Sequence, residues 1–202
     1  MSKERRDKDG APSKTTMPTY IAMLRGINVG GHKKVPMERL RAMFEKLGFE
    51  QVATYIQSGN VVFDAAKHSP PDLSKKIEAR ILAEFGFPAS VITRTVGELG
   101  KAIRNNPFPK ESRTDPSKVY IAFLSQIPRA DAVKKLEALA TSSEQLRHSG
   151  QETYLYYRDG MGQAKLTGSV LEKVLSVTAT ARNWNTVNQL YQMAVERSAK
   201  NS

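Results

Sequence analysis

The chain has 202 residues, no cysteine and a formal net charge of +11. Disulfides, a thiol nucleophile and thiolate metal ligation are therefore excluded, and no apolar run approaches the roughly eighteen residues of a membrane helix. The positive excess is spread along the chain, +2 through residue 16, +4 over 17–96 and +5 over 97–202, which favours anionic partners in general over one concentrated nucleic-acid face.

The start, MSKERRDKDGAPSKTTMP, lacks an apolar signal core and reads as a disordered basic tail over residues 1–17. The fold is expected to begin near Pro18. Thr19–Arg25 reads as a buried strand, and Pro36 opens a helix whose apolar face is Met37, Leu40, Met43, Phe44 and Leu47. Gln51–Gln57 and Asn60–Ala65 are β-rich and flank Ser58-Gly59, a pair suited to a hairpin turn. Leu73, Ile77, Ile81 and Phe85 mark a second helix stopped by Gly86, and Ala89–Val96 is a fourth strand.

Residues 97–117 form a helix and a Pro-rich connection, the expected boundary between lobes. The pattern then recurs over residues 118–202. Val119–Leu124 is a strand, Ala132–Ala140 a helix, and Gln145–Arg147 with Thr153–Tyr157 a strand pair through Ser149-Gly150. Val170–Leu175 is a helix, Val177–Ala181 a short strand, and Trp184, Val187, Leu190, Tyr191 and Ala194 mark a final helix. The fold class expected is α+β, with two ferredoxin-like (βαββαβ) lobes in tandem, 18–96 and 118–202, plus a C-terminal helix. No residue-level identity between the halves is read from the sequence, so the repeat is taken as one of architecture.

In βαββαβ the first two strands are parallel and the third returns antiparallel. The loop Arg25–Lys34 should therefore share an end with Gln57–Asn60, and Arg158–Thr167 should share one with Arg182–Thr186. The first of these loops belongs to "LRGINVGGHKKVP", which looks like a phosphate loop. It fails the Walker pattern, because no hydroxyl follows the lysines, and fails GxGxxG because its glycines are Gly26, Gly30 and Gly31. A looser anion nest stays open, with Gly30-Gly31 turning backbone N–H groups inward and Arg25, Asn28 and Lys33 adding donors. The plain alternative is a strand-to-helix loop.

Three other segments carry polar groups to loop edges. In "YIQSGNVVF", Gln57, Ser58 and Asn60 sit at a turn, where amides can serve a site. In "RDGMGQAKLT", Lys165 would suit an anion, and Thr167 or Ser169 caps the next helix. In "ARNWNT", Asn183 or Asn185 caps the last helix and Trp184 anchors it, leaving Arg182 and one Asn for a bound anion or base. Catalytic patterns are thin. His32, His68 and His148 show no metal-ligand spacing, and no cofactor or metal is expected. Tyr154, Tyr156 and Tyr157 should alternate across a strand, which leaves one outward Tyr able to stack on a base.

"RGINVGG" with "KVPM", "YIQSGNVVF", "KLT" and "TARNWNTV" together resemble a bacterial family known as domain of unknown function 1697, over roughly residues 18–192. The resemblance implies a tandem ferredoxin-like protein with a shared polar site and no established activity. That family's pattern has Arg-Ser before "KLT", where this chain has Gln163-Ala164, so a cation and a hydroxyl are missing from that loop. The expectation is a cytoplasmic protein binding a small phosphate-bearing or other anionic ligand in a cleft between lobes, lined by Arg25, Asn28, Lys165 and Arg182. Nucleic-acid binding is the first alternative and a structural or oligomer-forming role without ligand the second. No membrane partner is expected, and whether any reaction is catalysed stays open.

Overall fold

The computed structural model describes residues 17–200, so the tail read from the sequence lies outside the described residues except for Met17. The first half runs β1 (Thr19–Leu24), α1 (Met37–Lys46), β2 (Glu50–Tyr55), β3 (Asn60–Asp64), α2 (Pro70–Phe85) and β4 (Val91–Thr95). After α3 (Val96–Arg104) and α4 (Pro109–Thr114), the second half runs β5 (Val119–Leu124), α5 (Ala130–Ala138), β6 (Glu144–Ser149), β7 (Glu152–Tyr157), α6 (Gly168–Leu175), β8 (Ala179–Asn183) and α7 (Trp184–Lys200). The six-residue α4 was expected as irregular chain; it is too short to show periodicity, and only Pro109 at its first position marks it.

The strands form two four-stranded sheets, ordered β2-β3-β1-β4 and β6-β7-β5-β8, with every pairing antiparallel. Both faces of β1 are covered. Tyr20, Ala22 and Leu24 join Leu40, Phe44, Leu73 and Ile77 in an outer core, while Ile21 and Met23 face the other half. The second sheet repeats this, with Ala122 and Leu124 against Leu136, Leu171 and Leu175. Between the sheets lies a third core of Ile21, Met23, Ile121, Phe123 and Tyr154, filled by Leu99 of α3 and Val187, Leu190 and Ala194 of α7. The segment 97–117 is thus no loose linker: Leu99, Ala102 and Phe108 are buried in it.

The halves do share residue-level identity, contrary to the sequence reading. β1 reads TYIAML and β5 VYIAFL, and the pairings coincide: Ile21 opposes Arg94 as Ile121 opposes Arg182. The last helix of each half packs on its own sheet and also reaches the other half. Tyr154 Oη of β7 donates to the Ala102 carbonyl of α3 at 2.9 Å, and Arg197 Nη1 of α7 donates to the Val62 carbonyl of β3 at 2.8 Å. These two cross-half hydrogen bonds, one at each helix, help tie the halves together.

Candidate functional site

Strand directions put the ends of β1 and β2 together with the starts of β3 and β4, so Arg25, Gln57–Asn60 and Ser90 share one end of the first sheet. Asn28 organises this end. Its side-chain amide donates to the Val35 and Gln57 carbonyls at 3.0 and 2.8 Å, and its Oδ1 accepts from Val35 N–H at 2.8 Å. Val29-Gly30-Gly31-His32 closes as a two-residue hairpin turn, with φ of 60° and 78° at the glycines and His32 N–H donating to the Val29 carbonyl at 3.2 Å. Gly30 and Gly31 are thus the central residues of a tight turn within the strand-to-helix loop. Gly59 is required twice over, by a φ of 74° and because a Cβ there would lie 2.7 Å from Ile27.

The four side chains expected around one cleft are not placed alike. Arg182 is 9% exposed and crosses to the first half, where Nε donates to Asn60 Oδ1 at 2.5 Å and Nη2 to the Leu24 and Ser58 carbonyls at 2.7 and 3.1 Å. Nη1 bonds Thr180 Oγ1 and the Ala181 carbonyl, both at 2.8 Å. Burial pushes its pKa down to about 10, which still leaves it protonated at neutral pH. Five protein acceptors occupy the guanidinium, so it is a tie between halves and has no donor to spare for a ligand. Asn28 is spent on its loop in the same way.

Arg25 pairs with Glu172 of α6, and Lys165 is exposed with no side-chain partner among the described residues. Asn183 Oδ1 accepts from Thr186 N–H at 2.9 Å and caps α7; Asn185 is exposed and Trp184 packs against the middle core. Thr167 Oγ1, not Ser169, caps α6 by accepting from Val170 N–H at 3.4 Å. Lys33 Nζ donates to the Pro88 carbonyl at 2.7 Å and lies 5.9 Å from the Phe87 ring centroid. Of the expected residues, Arg25 and Lys33 line one groove of about 460 Å³, together with Lys75 and Glu78 of α2. Glu78 Oε1 accepts the Val91 N–H at 2.8 Å, while Lys75 has no partner among the described residues.

Three positions at these grooves and loops escaped the sequence reading. Lys75 sits on a polar helix face where no pattern singles it out. Glu144 binds the "KLT" segment: its Oε1 accepts from Lys165 and Leu166 N–H at 2.7 and 2.8 Å, and its Oε2 from Thr141 Oγ1 at 2.9 Å. Burial pushes its carboxyl up, but the hydrogen bonds from Leu166, Thr141 and Lys165 outweigh that and hold it below the usual carboxylate range. Arg94 of β4 is the counterpart of Arg182. It donates to the Leu124 carbonyl at 2.8 Å and to Glu152 Oε1 at 3.3 Å, lining a second cavity of about 380 Å³ between the halves. The matching "TRT" and "ARN" at the ends of β4 and β8 were the available signal.

Among the described residues no group of three or more His, Asp or Glu could hold a metal ion, and no helix is long and apolar enough to cross a membrane. The molecule is thus a two-sheet α+β protein with grooves along α2 and β4. The sequence profile described as "Protein of unknown function (DUF1697)" matches residues 17–154, and the chain belongs to that family. No curated protein matches it. The conserved bacterial protein SP0830 from Streptococcus pneumoniae is similar in structure, with a TM-score of 0.68 at 23% identity, over 88% of this chain and 99% of that one.

Proposed function

We propose that the chain is a tandem pair of ferredoxin-like lobes that binds a small phosphate-bearing or other anionic ligand, in the groove lined by Arg25, Lys33 and Lys75. The element order βαββαβ, with strand order β2-β3-β1-β4 and its repeat in the second half, supports the fold assignment. The observation that carries the ligand reading is the charge around the groove. Arg25, Lys33 and Lys75 line it; Glu172 offsets Arg25, Glu78 is turned to a backbone N–H of β4, and Lys75 has no partner among the described residues. Lys33 and Lys75 add positive charge beyond what Glu78 and Glu172 offset, and a bound anion would be attracted to that excess. A cytoplasmic location fits a cysteine-free chain and belongs to the same proposal.

The test is a thermal-shift screen of the full chain with inorganic phosphate, nucleotides, sugar phosphates and polyanions. Ligand at a hundred times its dissociation constant adds about 2.7 kcal/mol of stability, a readily measured shift. Lys33→Gln with Lys75→Gln should abolish it. No shift with any anion would sink the reading. A response confined to polynucleotides and falling steeply with salt would favour nucleic-acid binding instead. A purely structural role draws on Asn28, Asn60 and Arg182, whose polar groups are met by the protein itself; under it, the two lysine substitutions change no ligand response.

A further inference from the structure

The groove of Arg25, Lys33 and Lys75 adjoins the cavity between the halves, because Lys75 and Glu78 line both. The two spaces differ in chemistry. Beyond Lys75 and Glu78, the inner cavity presents the apolar rings of Pro70 and Pro71, the edge of β4 over Val91–Arg94, and Glu98 of α3. Facing these are neutral polar groups of the second half: Ser125, Gln151 and Thr178. The Ser125 and Thr178 hydroxyls make no hydrogen bond among the described residues. On the first-half side, Ser74 Oγ and Thr93 Oγ1 are 3.1 Å apart and bonded to each other. Arg94 adds no free charge, since its nitrogens are taken by the Thr93, Leu124 and Gln151 carbonyls and by Glu152.

The correspondence of the two halves shows why this cavity is open. Ser125 N–H donates to the Thr178 carbonyl at 2.9 Å, as Arg25 N–H donates to the Ser90 carbonyl at 2.8 Å, so Ser125 and Arg25 hold matching places. Glu78 and Glu172 match too, each accepting the first N–H of the following strand at 2.8 Å. In the second half the long Arg25 side chain spans to Glu172. In the first half the short Ser125 leaves the corresponding space beside Glu78 as the cavity of about 380 Å³.

Resting on the anion-binding reading, we infer that one ligand spans both spaces and that it is a phosphorylated sugar or polyol. Its phosphate lies among Arg25, Lys33 and Lys75, and its hydroxylated carbon skeleton enters the inner cavity. A sugar has an apolar face to set against Pro70 and Pro71, and hydroxyls to meet Ser125, Thr178 and the Gln151 amide. A nucleic acid would need exposed aromatic faces for its bases, and this cavity offers none.

Isothermal titration of the full chain with inorganic phosphate, ribose 5-phosphate and glucose 6-phosphate tests this. At least one sugar phosphate should bind about tenfold or more tighter than inorganic phosphate, a difference of about 1.4 kcal/mol. Ser125→Arg, whose guanidinium would meet Glu78 as Arg25 meets Glu172, should reduce that advantage to about twofold or less, a gap of a few tenths of a kcal/mol. Ser125→Leu fills the same space without charge and should do the same while phosphate affinity stays unchanged. Ser125 is exposed, so neither variant is expected to disturb folding, and melting curves confirm that. If phosphate binds and neither sugar phosphate binds tighter, or the advantage survives in both Ser125 variants, this inference is overturned and the anion site stands. If phosphate and both sugar phosphates all fail to bind, the anion reading falls with it.

Discussion

Arg94 and Arg182 stand at matching positions of the two sheets, and each reaches across to the opposite half, yet they are neutralised differently. Arg94 meets the Glu152 carboxylate, whereas Arg182 meets Asn60 and the carbonyls of Leu24 and Ser58. Asn60 and Glu152 hold the same place, opposite Met23 and Phe123 in the registers of β1 and β5. One junction is therefore a charge pair and the other a charge solvated by dipoles. The lesson is that two sheets of the same strand order can keep a cross-half tie while exchanging its electrostatics, which leaves the neighbouring surface free to differ. Ser125 leaves one cleft open, and Arg25 crosses the other.

The contrast can be broken most forcefully at Arg182. Arg182→Ala leaves buried acceptors at Leu24, Ser58 and Asn60 without a donor, which should cost on the order of 4 kcal/mol. The midpoint of urea unfolding reads this, and the loss should be nearly the same at pH 5 and pH 8, because no carboxylate is stranded. Arg94→Ala should cost about 3 kcal/mol at neutral pH, since it strands Glu152. Burial already raises the Glu152 carboxyl against the pull of Arg94. Without Arg94 its pKa rises further, so the penalty is present at neutral pH and relieved as pH falls and the acid takes up a proton. Adding Glu152→Gln should recover part of the loss. Equal pH dependence in the two arginine variants would refute the distinction between the junctions.

Smaller effects sharpen the comparison. Glu144→Gln removes a carboxylate that organises "KLT" and should cost about 2 kcal/mol at neutral pH. Because the folded carboxyl is held below its ordinary range, that contribution is present above the ordinary carboxylate pKa. It is lost as pH falls through the lowered value, so wild type and variant should converge in acid denaturation. Arg25→Ser copies the residue that holds the matching place in the other half. Its ion pair with Glu172 is partly exposed, with 40% of the arginine side chain accessible, so the loss should be only about 0.5 kcal/mol and should shrink with salt.

Much of the architecture was legible in the sequence because periodicity is local. Helical spacing at Leu40, Met43 and Phe44 and the apolar run Tyr20–Leu24 each report a buried surface. Chain reversal rules then say which loops share an end of a sheet, and the strand pairings agree for Arg25 with Gln57–Asn60. What those rules omit is satisfaction. Arg182 looks like a ligand donor until the carbonyl of Leu24, 158 residues away in sequence, is found on its Nη2. Lys75 looks like an ordinary surface residue until α2 is seen to border both cavities. Strand ends also drifted, as at β8, which begins at Ala179 instead of Val177, because Glu172 fixes the Ala179 N–H as its first anchored group. The β1 and β5 match lay in plain view, and only the pairing register gives it meaning.

The central claim is that an anion sits among Arg25, Lys33 and Lys75. A crystal of the full chain soaked in tungstate, an electron-dense tetrahedral oxyanion, tests it most directly through anomalous scattering. The account predicts a peak within hydrogen-bond distance of Lys75 and of Arg25 or Lys33, and its loss in the Lys33→Gln, Lys75→Gln variant. Peaks confined to other surfaces, or a peak in the groove that persists in that variant, would contradict it.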